Sequence, residues 1–426
     1  MEYLFFLIYD MVFILGLFIY LPFYIRRKKI SLAALKQKMG LIDKTGSKLQ
    51  NTIWIHVVSV GELILIEKLA KRIHELFGYE IIITTTTLSA NKLARKKYAG
   101  FARIFFFPFD ISFVIKKAIS AFQPKILIVA ETELWPNLFY RLKKKNIPIV
   151  VVNARISDKA FNRYKIIRPF IRKTLVKCDY IGAQNKIYRD RFVYLGANKA
   201  TTIVSGNMKF ESLDIDENQL QNFRKKYLSL IKKENSCLIV AGSTHNPEEE
   251  IILAAYKEIK DSGKNVSLII APRHPERIAA IEKTVKSYGF NPIKLSEPNK
   301  IGQQDNEIFL LDTMGELLYF YSFSDISFVG GSLADYGGHN ILEPIFFLKP
   351  TLFGPYMTNF SDIKETILEN KAGVQIKNQT ELREKLLELI GNGALRKEIS
   401  LRCARVFEEE RKSLDENLKI ILQCVD

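Results

Sequence analysis

Three glutamates lie directly after apolar segments, at positions where a carboxylate could act as a general base. Glu62 ends SVGE, which follows the run TIWIHVV, and Glu131 and Glu133 open ETELWPN, which follows KILIVA. General base catalysis requires a carboxylate within reach of an accessible proton. The same residues suit helix starts, where acidic side chains complement the helix dipole. The motifs leave both interpretations open.

Further motifs carry groups that bind anions. Lys209 in GNMKF offers a cation for developing negative charge, and Arg273 in APRHPER offers a guanidinium that suits phosphate or carboxylate. Ser243, Thr244 and His245 in AGSTH suit a phosphate at the start of a helix. Each motif also has a purely structural interpretation, as a surface lysine or a helix cap.

The stretch GGSLADYGGHNILEP, residues 330–344, contains four glycines between a predicted strand and a predicted helix. Glycine lets the backbone approach a ligand closely, and the amides that begin a helix bind anions. Glu343, three residues after Asn340, suits ribose hydroxyls, and MGEL places Gly315 and Glu316 at another strand-to-helix turn. These features together favour a nucleotide, although the pattern is neither a P-loop nor GxGxxG.

Apolar strands alternate with amphipathic helices along most of the chain, which predicts α/β domains with parallel sheets covered on both faces. A polar segment at 211–235 interrupts the alternation, which restarts at residue 236. We expect two Rossmann-like, doubly wound domains facing a cleft, at residues 29–210 and 236–426, with 211–235 as the linker. Ligands of such sheets bind beyond the carboxyl ends of the strands, where the motifs fall.

Residues 3–25 form an apolar segment that is long enough to cross a bilayer and has one charge, Asp10. RRKK follows at 26–29, so the positive-inside rule places the rest of the chain in the cytoplasm. We expect residues 1–28 to form a membrane anchor. A helix lying in the membrane interface is the alternative to a full span, and Asp10 and Pro22 favour it.

The distribution of charge indicates the class of binding partner, and the spacing of the cysteines indicates whether disulfides or a zinc site are expected. The net charge of +17 is uneven, because residues 1–210 carry +23 and the remainder carries −6. The basic half favours an anionic membrane surface or a phosphorylated substrate, and no RNA-binding motif accompanies it, so we expect no nucleic acid partner. The four cysteines lie far apart without a Cys/His cluster, which argues against a disulfide framework or a zinc site.

The motifs, taken together and in order, resemble those of the 3-deoxy-D-manno-octulosonic acid (Kdo) transferases. Those enzymes are membrane-anchored glycosyltransferases of lipopolysaccharide core assembly. The resemblance covers nearly the whole chain and implies the GT-B fold, CMP-Kdo as donor and a phosphorylated lipid A precursor (lipid IVA) as acceptor. It also implies a location at the cytoplasmic face of the inner membrane. The matching stretches are SVGE, ETELWPN, NARIS, GNMKF, AGSTH, APRHPER, MGEL, GGHNILEP and FGPYMTNF.

The resemblance also implies roles for individual residues. Glu62 would be the base of an inverting transfer, and Glu131 and Lys209 would stabilise the transition state, with Glu133 as a second candidate beside Glu131. CMP leaves as a stable anion, so we expect no strong general acid. We also expect no metal ion or other cofactor, because we interpret the sequence as lacking a metal-binding Asp-x-Asp motif. The implied CMP site comprises Pro272, Arg273, Met314, Gly315, Glu316, Asn340, Ile341, Leu342 and Glu343.

Two other functions are compatible with the fold. The first is a GT-B transferase that uses a UDP-sugar and a lipid-linked acceptor. The second is an anchored scaffold or lipid-binding protein that has lost catalysis. Fold alone does not decide among them.

Overall fold

Two parallel sheets of seven strands each organise the chain. The computed structural model describes residues 2–28, 31–42, 51–211, 213, 215–231, 236–302 and 306–425. One unit comprises Met1–Ser212 with Glu410–Asp426, and the other comprises Leu213–Glu409. The α/β class predicted from the alternating pattern is therefore confirmed.

The first sheet has the order β3-β2-β1-β4-β5-β6-β7, and every pairing in it is parallel. From β1 the chain winds outward through β2 and β3, then returns to β4 and winds the other way. The order therefore reverses between β1 and β4, which is where such sheets bind ligands. The strands are β1 (Thr52–Val57), β2 (Ile81–Thr85), β3 (Ala102–Phe106), β4 (Pro124–Ala130), β5 (Ile149–Ala154), β6 (Tyr180–Ala183) and β7 (Thr202–Val204).

Helices cover both faces of this sheet, and side chains of β1 alternate between two apolar cores. Ile53 and Ile55 belong to one core, and Trp54 belongs to the other. The helical segment that follows β1 is divided in two at Ile66. The helices are α1 (Glu2–Lys28), α2 (Leu32–Lys38), α3 (Val60–Leu65), α4 (Glu67–Phe77), α5 (Leu88–Lys97), α6 (Ser112–Phe122), α7 (Pro136–Lys143), α8 (Asp158–Ile166), α9 (Arg168–Leu175) and α10 (Lys186–Leu195).

The second sheet has the order β10-β11-β9-β8-β12-β13-β14, again with parallel pairings. Its order reverses between β8 and β12. The strands are β8 (Cys237–Thr244), β9 (Val266–Pro272), β10 (Asn291–Lys294), β11 (Glu307–Leu310), β12 (Ile326–Val329), β13 (Thr351–Phe353) and β14 (Val374–Gln375). The helices are α11 (Glu217–Ile231), α12 (Glu248–Asp261), α13 (Ile278–Ser287), α14 (Leu317–Phe323), α15 (Leu342–Phe346), α16 (Ser361–Glu369), α17 (Gln379–Gly391) and α18 (Gly393–Glu410).

The units begin and end at different residues from those expected. Most of the expected linker, 211–235, is helix α11 of the second unit. The last helix, α19 (Ser413–Val425), belongs to the first unit although the sequence pattern assigned it to the second. Leu418 and Ile421 of α19 join the core formed by β1, and Glu211 accepts hydrogen bonds from the Leu414 amide (2.8 Å) and the Ser413 hydroxyl (2.9 Å). Buried apolar side chains therefore decide which unit α19 joins.

Helix α1 packs on the first unit through its N-terminal half. Phe6 stacks on Tyr140 with ring centroids 4.0 Å apart. The Asp10 carboxylate accepts hydrogen bonds from the Ser112 amide (3.0 Å) and the Asn137 side chain (2.7 Å). The one charge of the apolar segment is thus used in the packing. Among the helices that the structure describes, none combines the length and the hydropathy of a membrane span.

Replacing Ile421 by alanine tests the assignment of α19. Ile421 is buried in the core of the first unit, so we expect Ile421→Ala to lower the free energy of unfolding by about 3 kcal/mol. Both tryptophans, Trp54 and Trp135, lie in this unit, so urea denaturation followed by tryptophan fluorescence reports on it. Lys419→Ala, at an exposed position of the same helix, should change the free energy of unfolding by no more than about 0.5 kcal/mol. An unchanged transition in Ile421→Ala would contradict the assignment.

Candidate active site

Glu62 lies in the first turn of α3, the helix that follows β1, beside the reversal point of the first sheet. Its carboxylate accepts hydrogen bonds from the Val58 amide (2.8 Å) and the Ser59 hydroxyl (3.0 Å), while Ser59 caps α3. Burial raises the pKa of Glu62, these hydrogen bonds oppose the rise, and the nearby charge of Glu131 adds to it. Glu62 therefore stabilises the start of α3, as expected of an acidic residue in the first turn of a helix. It is also a carboxylate with an increased affinity for a proton.

Glu131 follows β4, the strand on the other side of the reversal point. Its backbone has φ +58°, a left-handed conformation that residues other than glycine seldom adopt. Two contacts hold it there: its amide donates to the Val152 carbonyl (3.0 Å), and its carboxylate accepts from the Arg155 guanidinium (3.0 Å). Strained backbone of this kind is concentrated at functional sites. Arg155 thus fixes the direction of the Glu131 carboxylate.

Glu133 belongs to the same group of carboxylates. Burial raises its pKa to about 7, and the charges of Glu62 and Glu131 add to the rise. A carboxyl group with this pKa is part protonated at neutral pH, so it can donate as well as accept a proton. We refer to Glu62, Glu131 and Glu133 with Arg155 as the carboxylate site.

Lys209 lies in a short 3-10 helix, Met208–Glu211, that is attached to the end of β5. The Met208 amide donates to the Asn153 side chain (2.9 Å), and the Lys209 amide donates to the Asn207 side chain (3.1 Å). Asn153 lies two residues before Arg155, so one strand end positions both cationic residues. Lys209 is half-buried.

In the second unit, one buried carboxylate organises the loop that follows β12. Glu248, the first residue of α12, accepts hydrogen bonds from the amides of Gly331 (2.7 Å), Ser332 (2.9 Å) and Leu333 (2.8 Å). It also accepts from the amide of His245 (2.9 Å). Glu248 thus joins the loops after β8 and β12, the two strands at the reversal point. We call residues 330–344 the glycine loop.

This arrangement corrects the expected use of the loop amides. We expected the glycine loop and the start of the HNILEP helix to turn their amides toward an anion. Instead, the amides of Gly331, Ser332 and Leu333 are bound by Glu248, and the Leu342 amide donates to the Asn340 side chain (3.2 Å). Helix α15 has only five residues, Leu342–Phe346. Glycine at 331 is required for another reason, because φ is +65° and an added Cβ would lie 2.8 Å from the His339 ring.

Two histidines meet at this loop. His245 Nε2 lies 2.8 Å from His339 Nε2, so one imidazole donates to the other. His245 also stacks on Tyr336 with ring centroids 4.1 Å apart. Burial lowers the pKa of both histidines, that of His339 to about 4, and nearby positive charges, including Arg273, lower them further. The pair is therefore neutral at neutral pH, and the imidazole that accepts at Nε2 keeps one N–H, at Nδ1, for a ligand.

The remaining predicted donor-site residues divide by burial. Arg273 is exposed after β9. Glu343 is half-buried, and burial raises its pKa to about 7 against the opposing effects of a hydrogen bond from Asn340 and the charge of Arg273. Ile341 and Leu342 are core residues, so their side chains face the protein interior. Pro272 is the buried last residue of β9. Buried side chains at Pro272, Ile341 and Leu342 thus fix the backbone of the segments that carry Arg273, Asn340 and Glu343.

Met314, Gly315 and Glu316 line a separate cavity of about 450 Å³ in the second unit. Helix α11 supplies the facing wall through Phe223 and Lys226. The Thr313 hydroxyl donates to the Glu316 carboxylate and fixes its direction. Cavities of this size accommodate small ligands.

Comparison with known proteins places this geometry in a family. The family model described as "3-Deoxy-D-manno-octulosonic-acid transferase (kdotransferase)" matches residues 33–212. The 3-deoxy-D-manno-octulosonic acid transferase of Haemophilus influenzae is 31% identical over 389 residues, which are 91% of this chain and 90% of that protein. The chain belongs to the 3-deoxy-D-manno-octulosonic acid transferase family. The predicted reaction, transfer of Kdo in lipopolysaccharide core biosynthesis, is confirmed with the family.

Two further comparisons extend beyond single-function Kdo transferases. A bifunctional glycosyltransferase/methyltransferase of Fusobacterium nucleatum is 38% identical over 353 residues, which are 82% of this chain. The aligned part is 54% of that protein, so the chain spans about half of its length. A solved UDP-GlcNAc 2-epimerase from Neisseria meningitidis covers 88% of the chain with a TM-score of 0.59 and 13% identity, which supports the two-sheet GT-B fold.

Metal ligands were not expected for this Kdo transferase. Within the described residues, no group of three or more His, Cys, Asp or Glu side chains is placed to hold a metal ion. The sequence does contain one Asp-x-Asp triplet, at 214–216, whose first residue lies outside the described residues. The Asp216 side chain accepts hydrogen bonds from the amides of Asn218 (2.9 Å) and Gln219 (3.1 Å) at the start of α11. Metal-independent catalysis stays a prediction.

Sequence reasoning missed four residues of these sites. Arg155 was noted only within NARIS, although its position directly after β5 was a usable signal. Glu248 is one of three consecutive glutamates, of which Glu248 and Glu249 are buried, and nothing in the sequence indicates which of them binds the loop amides. Phe223 and Lys226 lie in a segment whose polarity favoured a linker.

Glu248→Gln tests the buried carboxylate of this family member. The amide keeps the shape but loses the charge that holds four backbone N–H groups. Because a hydrogen bond to a charged group contributes about 1.5–3 kcal/mol, we expect local stability to fall by about 3 kcal/mol. Hydrogen exchange at residues 331–333 should accelerate by about a hundredfold, as mass spectrometry can measure. Glu250→Gln, at an exposed neighbouring position, is the control, and equal exchange in both variants would contradict this role.

Proposed function

We propose that the protein transfers Kdo from CMP-Kdo to a phosphorylated lipid A precursor, lipid IVA, with inversion at the anomeric carbon. The observation that carries this proposal is the position of Glu62, a buried carboxylate of raised pKa beside the reversal point of the first sheet. Glu62 removes the proton of the acceptor hydroxyl as that oxygen attacks the anomeric carbon of Kdo. The bond from Kdo to the CMP phosphate breaks, and CMP leaves as an anion.

The other residues of the carboxylate site support this step. Arg155 holds Glu131 in place, so the Glu131 carboxylate is oriented before the acceptor arrives. Positive charge develops on the sugar as the leaving group departs, and Glu131 stabilises it. Lys209 neutralises the negative charge that collects on the phosphate. Glu133, with a pKa of about 7, accepts or donates a hydrogen bond to an acceptor hydroxyl.

The second unit holds the donor. Arg273 binds the phosphate or the Kdo carboxylate, because an exposed guanidinium presents two parallel N–H groups to such an anion. Glu343 and Asn340 hydrogen-bond the ribose hydroxyls, and Gly315 and Glu316 form a further part of the CMP site. The His245–His339 pair lies near Arg273 and offers its one remaining N–H group to the same anion.

We further propose that the protein acts at the cytoplasmic face of the inner membrane. Helix α1 exposes apolar side chains on the side away from its packing contacts, among them Met11, Val12, Leu15 and Phe18. A helix of this kind lies in the membrane interface with its apolar face in the lipid. The charge of +23 on residues 1–210 adds attraction to anionic headgroups.

Glu62→Gln tests the base. The variant should bind CMP normally, while the rate of Kdo transfer falls by about 10²–10⁴. Transfer from CMP-Kdo, generated in situ, to tetraacylated lipid A precursor can be followed by mass spectrometry, which also counts the sugars added. Glu75→Gln, at an exposed position of α4, is the matched control. Activity retained in Glu62→Gln would return Glu62 to a capping role alone.

The pH profile gives a second readout for the same variant. A base loses activity as the pH falls through its pKa, because protonation removes the acceptor lone pair. The pKa of Glu62 is raised, so the acid limb of the rate should lie above the ordinary glutamate value of about 4.3. Glu62→Gln should lack this limb in its residual activity.

Arg273→Ala tests the donor site. We expect CMP affinity to fall by about tenfold or more, since a hydrogen bond to a charged group contributes about 1.5–3 kcal/mol. Isothermal titration calorimetry with CMP and with UDP measures this change and also the preference between the nucleotides. Lys286→Ala, an exposed cation on α13, should leave both affinities unchanged. Tighter binding of UDP than of CMP would favour the UDP-sugar alternative.

A further inference from the structure

The first unit contains an apolar pocket of about 390 Å³ under α1. Phe13 and Leu17 of α1 form one wall, while Phe107 and Phe109, which follow β3, and Trp135, which precedes α7, form the others. The volume lies within the range of small-molecule sites, which are mostly apolar with few polar groups. The transfer mechanism above uses no part of this pocket.

The pocket adjoins the carboxylate site. Its lining residues Thr86, Phe107 and Trp135 follow the carboxyl ends of β2, β3 and β4 respectively, at the same edge of the sheet as Glu62. Trp135 lies two residues after Glu133 in ETELWPN. The Trp135 ring packs against Phe107 with centroids 4.8 Å apart. A ligand in the pocket would therefore have one end beside the reacting carboxylates.

The outer surface of α1 indicates what kind of ligand reaches this pocket. Phe13, Gly16 and Leu17 line the pocket, while Phe18 is 80% exposed and Ile19 is 72% exposed on the same two turns. The helix is thus apolar toward the pocket and also toward its surroundings. An exposed apolar surface of this kind is favourable in contact with lipid. The apolar groups that lipid offers to the helix and to the pocket are hydrocarbon chains.

The wall of the pocket contains one cation, Lys38, and one carboxyl group, Asp110, whose oxygens accept hydrogen bonds from the amides of Asn137 and Leu138. Lys38 is only 3% exposed, and its ammonium group lies 5.3 Å from the Phe106 ring centroid and 5.7 Å from that of Phe109. Burial lowers the pKa of Lys38 to about 8, so most of it is charged at neutral pH. An ammonium group beside an apolar pocket matches a hydrocarbon chain that is attached to a phosphorylated headgroup.

We propose that this pocket binds one acyl chain of the acceptor lipid and so places the acceptor's sugar hydroxyl at the carboxylate site. The inference rests on the proposed function, namely that the acceptor is a phosphorylated lipid and that its hydroxyl reacts at the carboxylate site. Lys38 contacts the polar end of the chain. Acyl chain binding explains why aromatic residues surround a cavity next to polar catalytic groups.

Tryptophan quenching tests occupancy of the pocket directly. The chain has two tryptophans, of which Trp54 is buried in the core and Trp135 lines the pocket. Vesicles of phosphatidylglycerol with brominated acyl chains should quench Trp135 fluorescence in the wild type. The Trp135→Phe variant, which retains only Trp54, should show little quenching. Addition of unbrominated tetraacylated lipid A precursor should relieve the quenching, because the acceptor displaces the brominated chain.

A variant that fills the pocket provides a second test of acyl chain binding. Gly16 lines the pocket, and a Cβ added there meets no atom within 4 Å, so the side chain of Gly16→Phe can begin there without a clash. We expect Gly16→Phe to raise the KM for the acylated acceptor about tenfold, the effect of losing a few buried methylenes. The KM for CMP-Kdo and transfer to a deacylated acceptor should not change. Leu15→Phe, which adds bulk at an exposed position of the same helix, is the control.

The outcomes separate this inference from the proposed function. Quenching of Trp135 that the lipid A precursor relieves supports the acyl chain site, even if no Kdo transfer is detected. Quenching that the precursor does not relieve assigns the pocket to ordinary membrane lipid and overturns the inference. Absence of quenching in vesicle-bound protein overturns it as well. An equal rise in KM for acylated and deacylated acceptors in Gly16→Phe shows a general disturbance of the site and also overturns it.

Discussion

The reversal of strand order in each sheet is the constraint on which both sites depend. Where the order reverses, the helices that follow the two neighbouring strands leave toward opposite faces, so a gap opens at the carboxyl ends. In the first unit, β1 and β4 border this gap and are followed by Glu62 and Glu131. In the second unit, β8 and β12 border it and are followed by His245 and the glycine loop. The motifs are far apart in sequence because the strands that hold them are.

Buried charge is handled in two ways in this protein. Glu248 is surrounded by four backbone N–H donors, so its charge is compensated and it serves to hold the glycine loop. Glu62 is buried and Glu133 and Glu343 are half-buried, all three with less compensation, and their pKa values are raised. A carboxylate of the first kind fixes structure, whereas one of the second kind has an increased affinity for a proton. The difference separates the structural glutamates of α/β turns from those that can react.

Helix α1 links the membrane to the chemistry in our proposals. Asp10, which would be unfavourable within a bilayer, is used to bind the Ser112 amide and the Asn137 side chain. The same packing brings Phe13 and Leu17 over an apolar pocket next to the ETELWPN segment. An acceptor lipid thus has a place for a chain and a place for its sugar on one unit. The first unit then needs little more than its own residues to orient the acceptor.

The sequence by itself determined the α/β class, the family and most strand positions, because these follow from local patterns. Strands such as KILIVA are apolar throughout, as buried parallel strands require, and each motif follows such a run. Only the tertiary structure decided contacts between distant segments. These include the attachment of α19 to the first unit, the Arg155–Glu131 pair and the burial of Glu248 rather than Glu250. Hydrophobic periodicity indicates which residues face a core, but it does not indicate which of two cores a helix joins. It also does not indicate which of several adjacent glutamates will accept hydrogen bonds from a loop that is distant in sequence.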